Sequence, residues 1–435
     1  VAAAGAAVRL VPCAAGHYLI NYTWGEEMKI LVQKYGGTSV STLEKRELVA
    51  QRISDAMDEG FRVVVVVSAM GRKGDPYATD TLKSLPLEVY PDTSLRELDL
   101  VMSCGETISA VVMAATLCRR GTKSSAFTGA QAGFLTDGHY SEAEVIDCQP
   151  SKLKEALQRG DVPVVAGFQG VDADGEVNTL GRGGSDTTAV ILGAALEAEK
   201  VEIFTDVSGI MTADPGILKE ARIIQHITYG EVCQLAYEGA KVIHPRAVEV
   251  AMRNNVDVVV KNLEEPERGT LITGEASMKE GNYSTRGRRA VTGIAHSMEL
   301  VQFLIEFDSP DKNRELEIFE RIGEAGVNID LISVFPLLKA FTVKEEYSGK
   351  VADILDRLGT PYKMEKGCAK VSVVGVSMHS IPGVMARVVK ALNEQGIEIK
   401  QTGDSNITIS LLIRQDDLRE AVKTLHENFY LGKDS

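Results

Sequence analysis

Lys34 closes a short apolar run, KILVQ, and is followed by Tyr35, Gly36 and Gly37. A lysine at a glycine turn between a strand and a helix is placed to meet a phosphate. The turn's N–H groups and the positive end of the helix then face the same anion. A plain tight turn would explain the glycines but not the lysine. The loop carries neither G-x-x-x-x-G-K-[ST] nor G-x-G-x-x-G, so neither common nucleotide fingerprint applies. A second stretch, TLGRGGSDTTAV at 179–190, sets Gly181, Gly183 and Gly184 around Arg182 ahead of a helical run. It reads as another anion cradle, with Arg182 offering a two-pronged contact to a carboxylate or phosphate. The alternative is an ordinary glycine turn with Ser185 or Asp186 as helix cap. Glu106, beside Gly105 in SCGETIS, is a candidate for holding an ammonium group, although an acid there is also an ordinary helix residue. Thr205 and Asp206 end the strand-like KVEIFTD, the ligand side of an open α/β sheet, and Asp214-Pro215-Gly216 makes a turn. Lys241 precedes a helix in EGAKVIHPRA. His244, next to Pro245, reads as a turn histidine, because no serine or cysteine nucleophile pairs with it.

The elements that must position these residues follow from pattern. After the Lys34 loop, Ser41 and Glu44 spell an S-x-x-E capping box. Leu43, Val49, Ile53 and Met57 give the ensuing helix an apolar stripe, and Gly60 ends it. RVVVVV at 62–67 is a strand buried on both faces, as in a parallel sheet. Strand-like SSAFTG, VPVVAGF, KVEIFTD and VDVVVKN alternate with helical ELDLVMSCGETISAVVMAATLCRRG and SDTTAVILGAALEAE up to residue 273. That predicts an α/β domain over 28–273: an open, mainly parallel sheet with helices on both faces. Residues 274–290 are polar and apolar-poor and read as a linker. Beyond them the pattern repeats. FERIGEAGVNIDLISV and VVKALNEQGIEIKQTG share a helix, a glycine and a strand, with Gly326 and Gly396 at matching places. Two ferredoxin-like α+β modules are expected, at 291–366 and 367–435.

Bulk properties narrow the function. The 435 residues are 44% hydrophobic and 25% charged, enough for two or three domains. A net charge of −14 argues against nucleic acid and anionic membrane surfaces as partners. The six cysteines show no C-x-x-C pair or metal spacing, which suits reduced thiols in a cytoplasmic protein. No apolar run approaches the ~20 residues of a membrane span. Residues 1–27, Ala-rich and holding the one tryptophan, read as a non-native or disordered extension, with Met28 the natural first residue.

The motifs QKYGGTSV, VVVSAMG, SCGETIS, FTGAQAGFLT, VAGFQG, LGRGGSDTTA and FTDVSGIMTADP together resemble the aspartokinases of the amino-acid-kinase family. The similarity runs from residue 29 to about 430 and includes the tandem modules, which resemble ACT domains. SAMGRKGDPYATDTL and TGIAH look most like the single-function Bacillus-type enzymes. The resemblance implies phosphorylation of the L-aspartate side-chain carboxylate by ATP, giving 4-phospho-L-aspartate at the head of lysine, threonine, methionine and diaminopimelate biosynthesis. It implies that Lys34, Tyr35, Gly36, Gly37, Thr205, Asp206, Asp214, Ala240 and Lys241 frame ATP. It places Thr79, Glu106, Arg182, Gly183, Gly184 and Ser185 around aspartate, with Glu106 on the ammonium and Arg182 on a carboxylate. Lys34 and Asp186 would be the catalytic groups, Asp186 doubling as a possible helix cap. Mg²⁺ would arrive with ATP and take no protein side chain. The chemistry is coherent: the nucleophile, with a pKa of ~3.9, is already ionised at neutral pH and needs no general base. Alignment and positive charge are what an anion attacking a polyanion requires. The resemblance further implies a homodimer or higher homo-oligomer, and an amino-acid effector (lysine, threonine or meso-diaminopimelate) at Ser377, Ile381, Gly383, Val384, Ser405 and Asn406. The first module departs from the family pattern. After VNIDLIS it reads VFPLLKA where many relatives carry Gln-Asn, and its strand-to-helix loop DSPDKNRE lacks Pro-Gly. A glutamate-type amino-acid kinase and a catalytically silent amino-acid sensor are the competing readings.

Overall fold

The run RVVVVV forms the strand Arg62–Val67, and Val63 through Val67 are all buried, so both of its faces are covered. A computed structural model describes residues 28–240, 242–274, 291–376, 378 and 381–432, together with the backbone of 7–12 and 18–23. Lys241, Ser377 and, after Gly274, the expected linker lie outside the described residues. Within the 1–27 stretch, Ala7–Pro12 and Tyr18–Thr23 pair antiparallel. That ladder is regular structure in a stretch expected to be non-native or disordered. The chain divides into two units, residues 1–180 with 191–201, and residues 181–190 with 202–435.

In the first unit Ile30–Tyr35, Arg62–Val67, Val162–Ala166 and Ser124–Phe127 lie side by side, each pair parallel. The helix Leu43–Asp58 starts one residue later than the capping box predicted. Thr42, not Ser41, accepts the Lys45 N–H, while the Ser41 hydroxyl donates to Thr38 O at 3.0 Å. The cause is a 3-10 turn, Gly37–Ser39, which uses up the residues that a direct strand-to-helix passage would have left to the cap. The helix Leu95–Arg119 is, by length and composition, apolar enough to cross a bilayer, which the run-based reading of the sequence did not anticipate. More than half of its apolar stretch is buried, and the buried polar positions of the helix include Asp99, Ser103, Glu106 and Ser109.

In the second unit His226–Thr228 pairs parallel with Gly269–Thr273, which pairs antiparallel with Val258–Asn262. A six-stranded sheet then carries both ferredoxin-like modules, in the order 330–334, 338–344, 293–306, 363–374, 408–414, 401–404. The modules are not tandem, as the boundary at 366 implied. Two long strands are shared. Along Gly293–Glu306, residues 300–306 pair with 338–344 and belong to the first module, while 293–297 pair with 370–374 of the second. Lys363–Val374 is divided in the same way, its first residues facing 302–304 and its remainder pairing with 408–414. The first module is therefore inserted between two strands of the second. Residues 293–297 thus give the second module its fourth strand. The cores agree with the division. Val301, Phe303, Ile318, Phe341, Val351 and Leu355 cluster in module one, whereas Ile294 clusters with Val371, Val388, Leu411 and Leu425 in module two.

Candidate functional site

In the first unit the site begins at the end of Ile30–Tyr35. Lys34 is half-buried there, and Tyr35 is fully buried with its hydroxyl donating to Gln33 Oε1 at 3.0 Å. Tyr35 can thus serve a ligand only through its backbone. Gly37 is set by close approach: a Cβ on it would lie 2.3 Å from Ala69 O and 2.8 Å from Gly71 O. Its carbonyl also accepts the Gly71 N–H at 3.0 Å. The lysine loop is thereby sewn to the 69–71 loop, and that loop reaches the buried acid, since Ala69 N–H donates to Glu106 Oε1 at 3.1 Å. Thr79, opening the helix Thr79–Val89, donates to the same oxygen at 3.5 Å. Glu106 is 2% exposed and its Oε2 has no hydrogen-bond partner. Burial pushes its pKa up to about 8, against the donors from Ala69 and Thr79.

Two turns earlier on the same helix stands Asp99, which the sequence reading passed over. It is wholly buried, and each of its oxygens accepts two bonds: Oδ1 from the hydroxyls of Ser141 (3.0 Å) and Thr179 (2.9 Å), Oδ2 from their N–H groups (2.8 and 2.7 Å). Asp99 thus fixes the chain at Thr179, two residues before Gly181. A seven-residue spacing on a helix, which puts two acids on one face, was the signal available.

In the second unit Gly181 and Gly183 have φ of +70° and +75°, and the helix begins at Gly184. Ser185 and Asp186 therefore lie inside the first turn and do not cap it, contrary to the alternative weighed from the sequence. Arg182 is exposed between the two left-handed glycines. A Cβ on Gly183 would sit 2.3 Å from His244 Cβ, so the cradle rests against that histidine. His244 is the N-cap of Pro245–Asn254, its Nδ1 facing Arg246 N–H at 3.4 Å. Burial lowers its pKa, opposed by nearby Asp186. It was read as a turn residue; its place behind the arginine loop had no sequence signal beyond His-Pro. Thr205 ends Lys200–Thr205 and donates to Asp206 Oδ1 at 3.2 Å, while Asp206 O accepts from Asn262 at 3.3 Å. Asp214 Oδ1 accepts the Gly216 N–H at 2.7 Å, closing the expected turn. Ala240 follows the helix Tyr229–Tyr237, directly before the undescribed Lys241. Beside them Glu238 pairs with Lys370 at 2.9 Å, and Lys370 also meets Asp330.

Module two holds a cleft of about 280 Å³, lined by Ile381, Gly383, Val384, Asp404, Ser405 and Ile409 among others. The helix Val384–Glu394 opens toward it with Gly383 as an N-cap that has no side-chain bond. Asn406 does not line the cleft; its carbonyl accepts the Met378 N–H at 2.8 Å and holds one wall.

Comparison with known proteins agrees in one direction. Residues 29–262 match the amino acid kinase family and residues 363–427 the ACT domain. The chain is 46% identical over 406 residues to Aspartokinase 1 of Bacillus subtilis (strain 168), covering 93% of this chain and 100% of that protein. It is 40% identical over 414 residues to the aspartokinase of Geobacillus stearothermophilus, covering 94% and 99%. The crystal structure of E. coli aspartokinase III in complex with aspartate and ADP matches with a TM-score of 0.72 at 24% identity, over 92% of this chain and 100% of that one. Clostridium acetobutylicum aspartate kinase gives 0.77 at 23% identity, over 92% and 100%. At those identities the structural likeness speaks for the fold.

Proposed function

The chain belongs to the amino acid kinase family, in its aspartokinase branch, and with that as premise we propose how its residues carry a phosphoryl group from ATP to the side-chain carboxylate of aspartate. It is an ATP-dependent aspartate kinase. Lys34, with the N–H groups around Gly36 and Gly37, takes the phosphates and offsets the charge that develops during transfer. Glu106, assisted by Thr79, takes the ammonium of aspartate. Arg182, with Gly183, Gly184 and Ser185, takes a carboxylate, and Asp186 in the first helical turn assists at the reacting end. Thr205, Asp206, Asp214, Ala240 and Lys241 frame the nucleotide.

The observation that carries this reading is Glu106. A carboxyl 2% exposed, with one oxygen lacking any partner, is costly to leave charged. An incoming ammonium would supply the missing donor and bring the group to its ionised form. Among the described residues no three His, Cys, Asp or Glu side chains converge on a metal position. Mg²⁺ would come with ATP on its phosphates, where it would spread the charge of the transferred group.

The open cleft of module two fits a small amino acid, its carboxylate on the N–H groups of the first helical turn from Val384. Lysine, threonine and meso-diaminopimelate are the effector candidates. The sheet ends at two edge strands, and Ile332, Val334, Phe335 and Leu337 are exposed at one of them. Pairing with a second copy would cover that edge.

A hydroxamate assay tests the reaction. Turnover is expected with aspartate and not with glutamate. Lys34→Ala should lower kcat by on the order of 10²-fold or more with an unchanged melting temperature. A near-normal kcat in that variant would remove Lys34 from the mechanism.

A further inference from the structure

The two modules share a frame that makes their clefts comparable residue by residue. Gly326 and Gly396, both left-handed, end their first helices, and the strands Leu338–Lys344 and Thr408–Arg414 start and stop seventy residues apart. Three residues lining the open cleft of module two are Met385, Ser405 and Ile409. Their counterparts at the same spacing are Glu315, Phe335 and Lys339. In module one Lys339 touches the other two. Lys339 Nζ donates to Phe335 O at 2.5 Å and pairs with Glu315 Oε2 at 3.0 Å. Its ammonium also stands 5.6 Å from the centroid of the Phe307 ring. Lys339 is 3% exposed, although it lies next to a surface turn. The helix start differs in the same sense. Where module two presents Gly383 with no side-chain cap, Asp311 of module one accepts the Arg314 N–H at 3.0 Å with its own carboxylate.

We propose that module one is occupied from within: the tethered ammonium of Lys339 fills the cleft that module two leaves open, so that module one admits no free amino acid. The carboxylate on the helix N-terminus and the ammonium on the strand side are the two charged groups an amino acid would bring, and here the chain supplies both. The inference deepens the regulatory part of the function proposed above, and rests on it only for what the open cleft of module two binds. One effector per chain follows.

Rescue of deletion variants of the full chain tests the plug without any effector. Lys339→Ala removes three methylenes and an ammonium, the outline of n-propylammonium. Its melting temperature should fall below that of the wild type. It should then rise by on the order of 2 °C when n-propylammonium exceeds its dissociation constant about tenfold. n-Propanol should give no comparable rise, and neither the wild type nor Lys339→Met, whose side chain still fills the space, should respond to the amine. A gain in the alanine variant no greater than in the wild type overturns the proposal. If Lys339→Ala does not fold, Glu315→Ala opens the same cleft from the helix side and lacks the outline of acetate. Acetate should raise its melting temperature above any effect on the wild type, and no such rise overturns the proposal equally. Since neither probe is an effector, failure here leaves the reading of module two standing. Failure of lysine, threonine and diaminopimelate to bind would overturn that reading and leave the plug intact.

Discussion

Asp99 and Glu106 are two carboxylates on one face of the helix Leu95–Arg119, both cut off from solvent, and they are treated in opposite ways. Asp99 receives four donors from Ser141 and Thr179, so every bond its charged form needs is made by the protein. Glu106 receives two donors on one oxygen and none on the other. The first arrangement holds loops in place. The second leaves one carboxylate oxygen without a donor from the protein. Burial alone does not separate structural from ligand-binding acids; the count of satisfied lone pairs does.

The largest expected effect tests the structural end of this pair. Asp99→Asn would turn an amide NH₂ toward donors that need an acceptor, at a cost of about 3–5 kcal/mol in stability. Calorimetry should show a large fall in melting temperature, while the KM for aspartate of the surviving folded enzyme stays within about threefold of normal. The opposite pattern, intact stability with a lost KM, would make Asp99 a ligand group. Next in size, Glu106→Gln should raise the KM for aspartate by roughly 10- to 10²-fold through loss of one charge-assisted bond, leaving that for ATP within about twofold. Equal effects on both substrates would undo the assignment to the ammonium.

The smallest effect concerns protons. The pKa of Glu106 is raised from 4.5 to about 8 in the folded state, so between those values the folded protein holds a proton that the unfolded chain has released. Stability must then decline with rising pH across that window, by at most about 1.4 kcal/mol for each pH unit. Melting temperatures of Glu106→Gln and the wild type, compared at pH 5.5 and 6.5 without ligand, should diverge in favour of the glutamine variant. Saturating aspartate should abolish the divergence. A gap that does not widen with pH would show that the Glu106 carboxyl is ionised throughout.

What the sequence disclosed and what it concealed divide by range. The Lys34 loop, the Arg182 cradle and most helices were legible because their signals lie within a dozen residues: a glycine pair after an apolar run, three glycines around an arginine, a 3.6-residue stripe. The errors at this range were small, with the cap at Thr42 in place of Ser41 and a helix starting at Gly184 rather than beyond Asp186. The spacing to Glu106 placed Asp99 on the same helix face, but its role was illegible because its partners lie 42 and 80 residues away. His244 likewise acquires its meaning only when the backbone of Gly183 is brought against it. The shared strands of the two modules were hidden for a different reason. Gly293–Glu306 and Lys363–Val374 each read as one continuous strand, and the handover is marked only by an irregularity at Glu299 and by Gly367, both with positive φ, which a local reading passes over.

That handover constrains how the protein can be made and how it can evolve. On the ribosome, the strand at 293–297 emerges before all of module one, and its partners at 370–374 come 73 to 81 residues later. At synthesis rates of 5–20 residues per second it waits roughly 4–16 s with an unpaired edge, while module one forms beside it. Recombination meets the same obstacle. A crossover near residue 366 would give the recipient a module two without its outer strand and a module one cut off inside Lys363–Val374. The regulatory half can therefore be exchanged between relatives only as one piece, and the closed module travels with the open one.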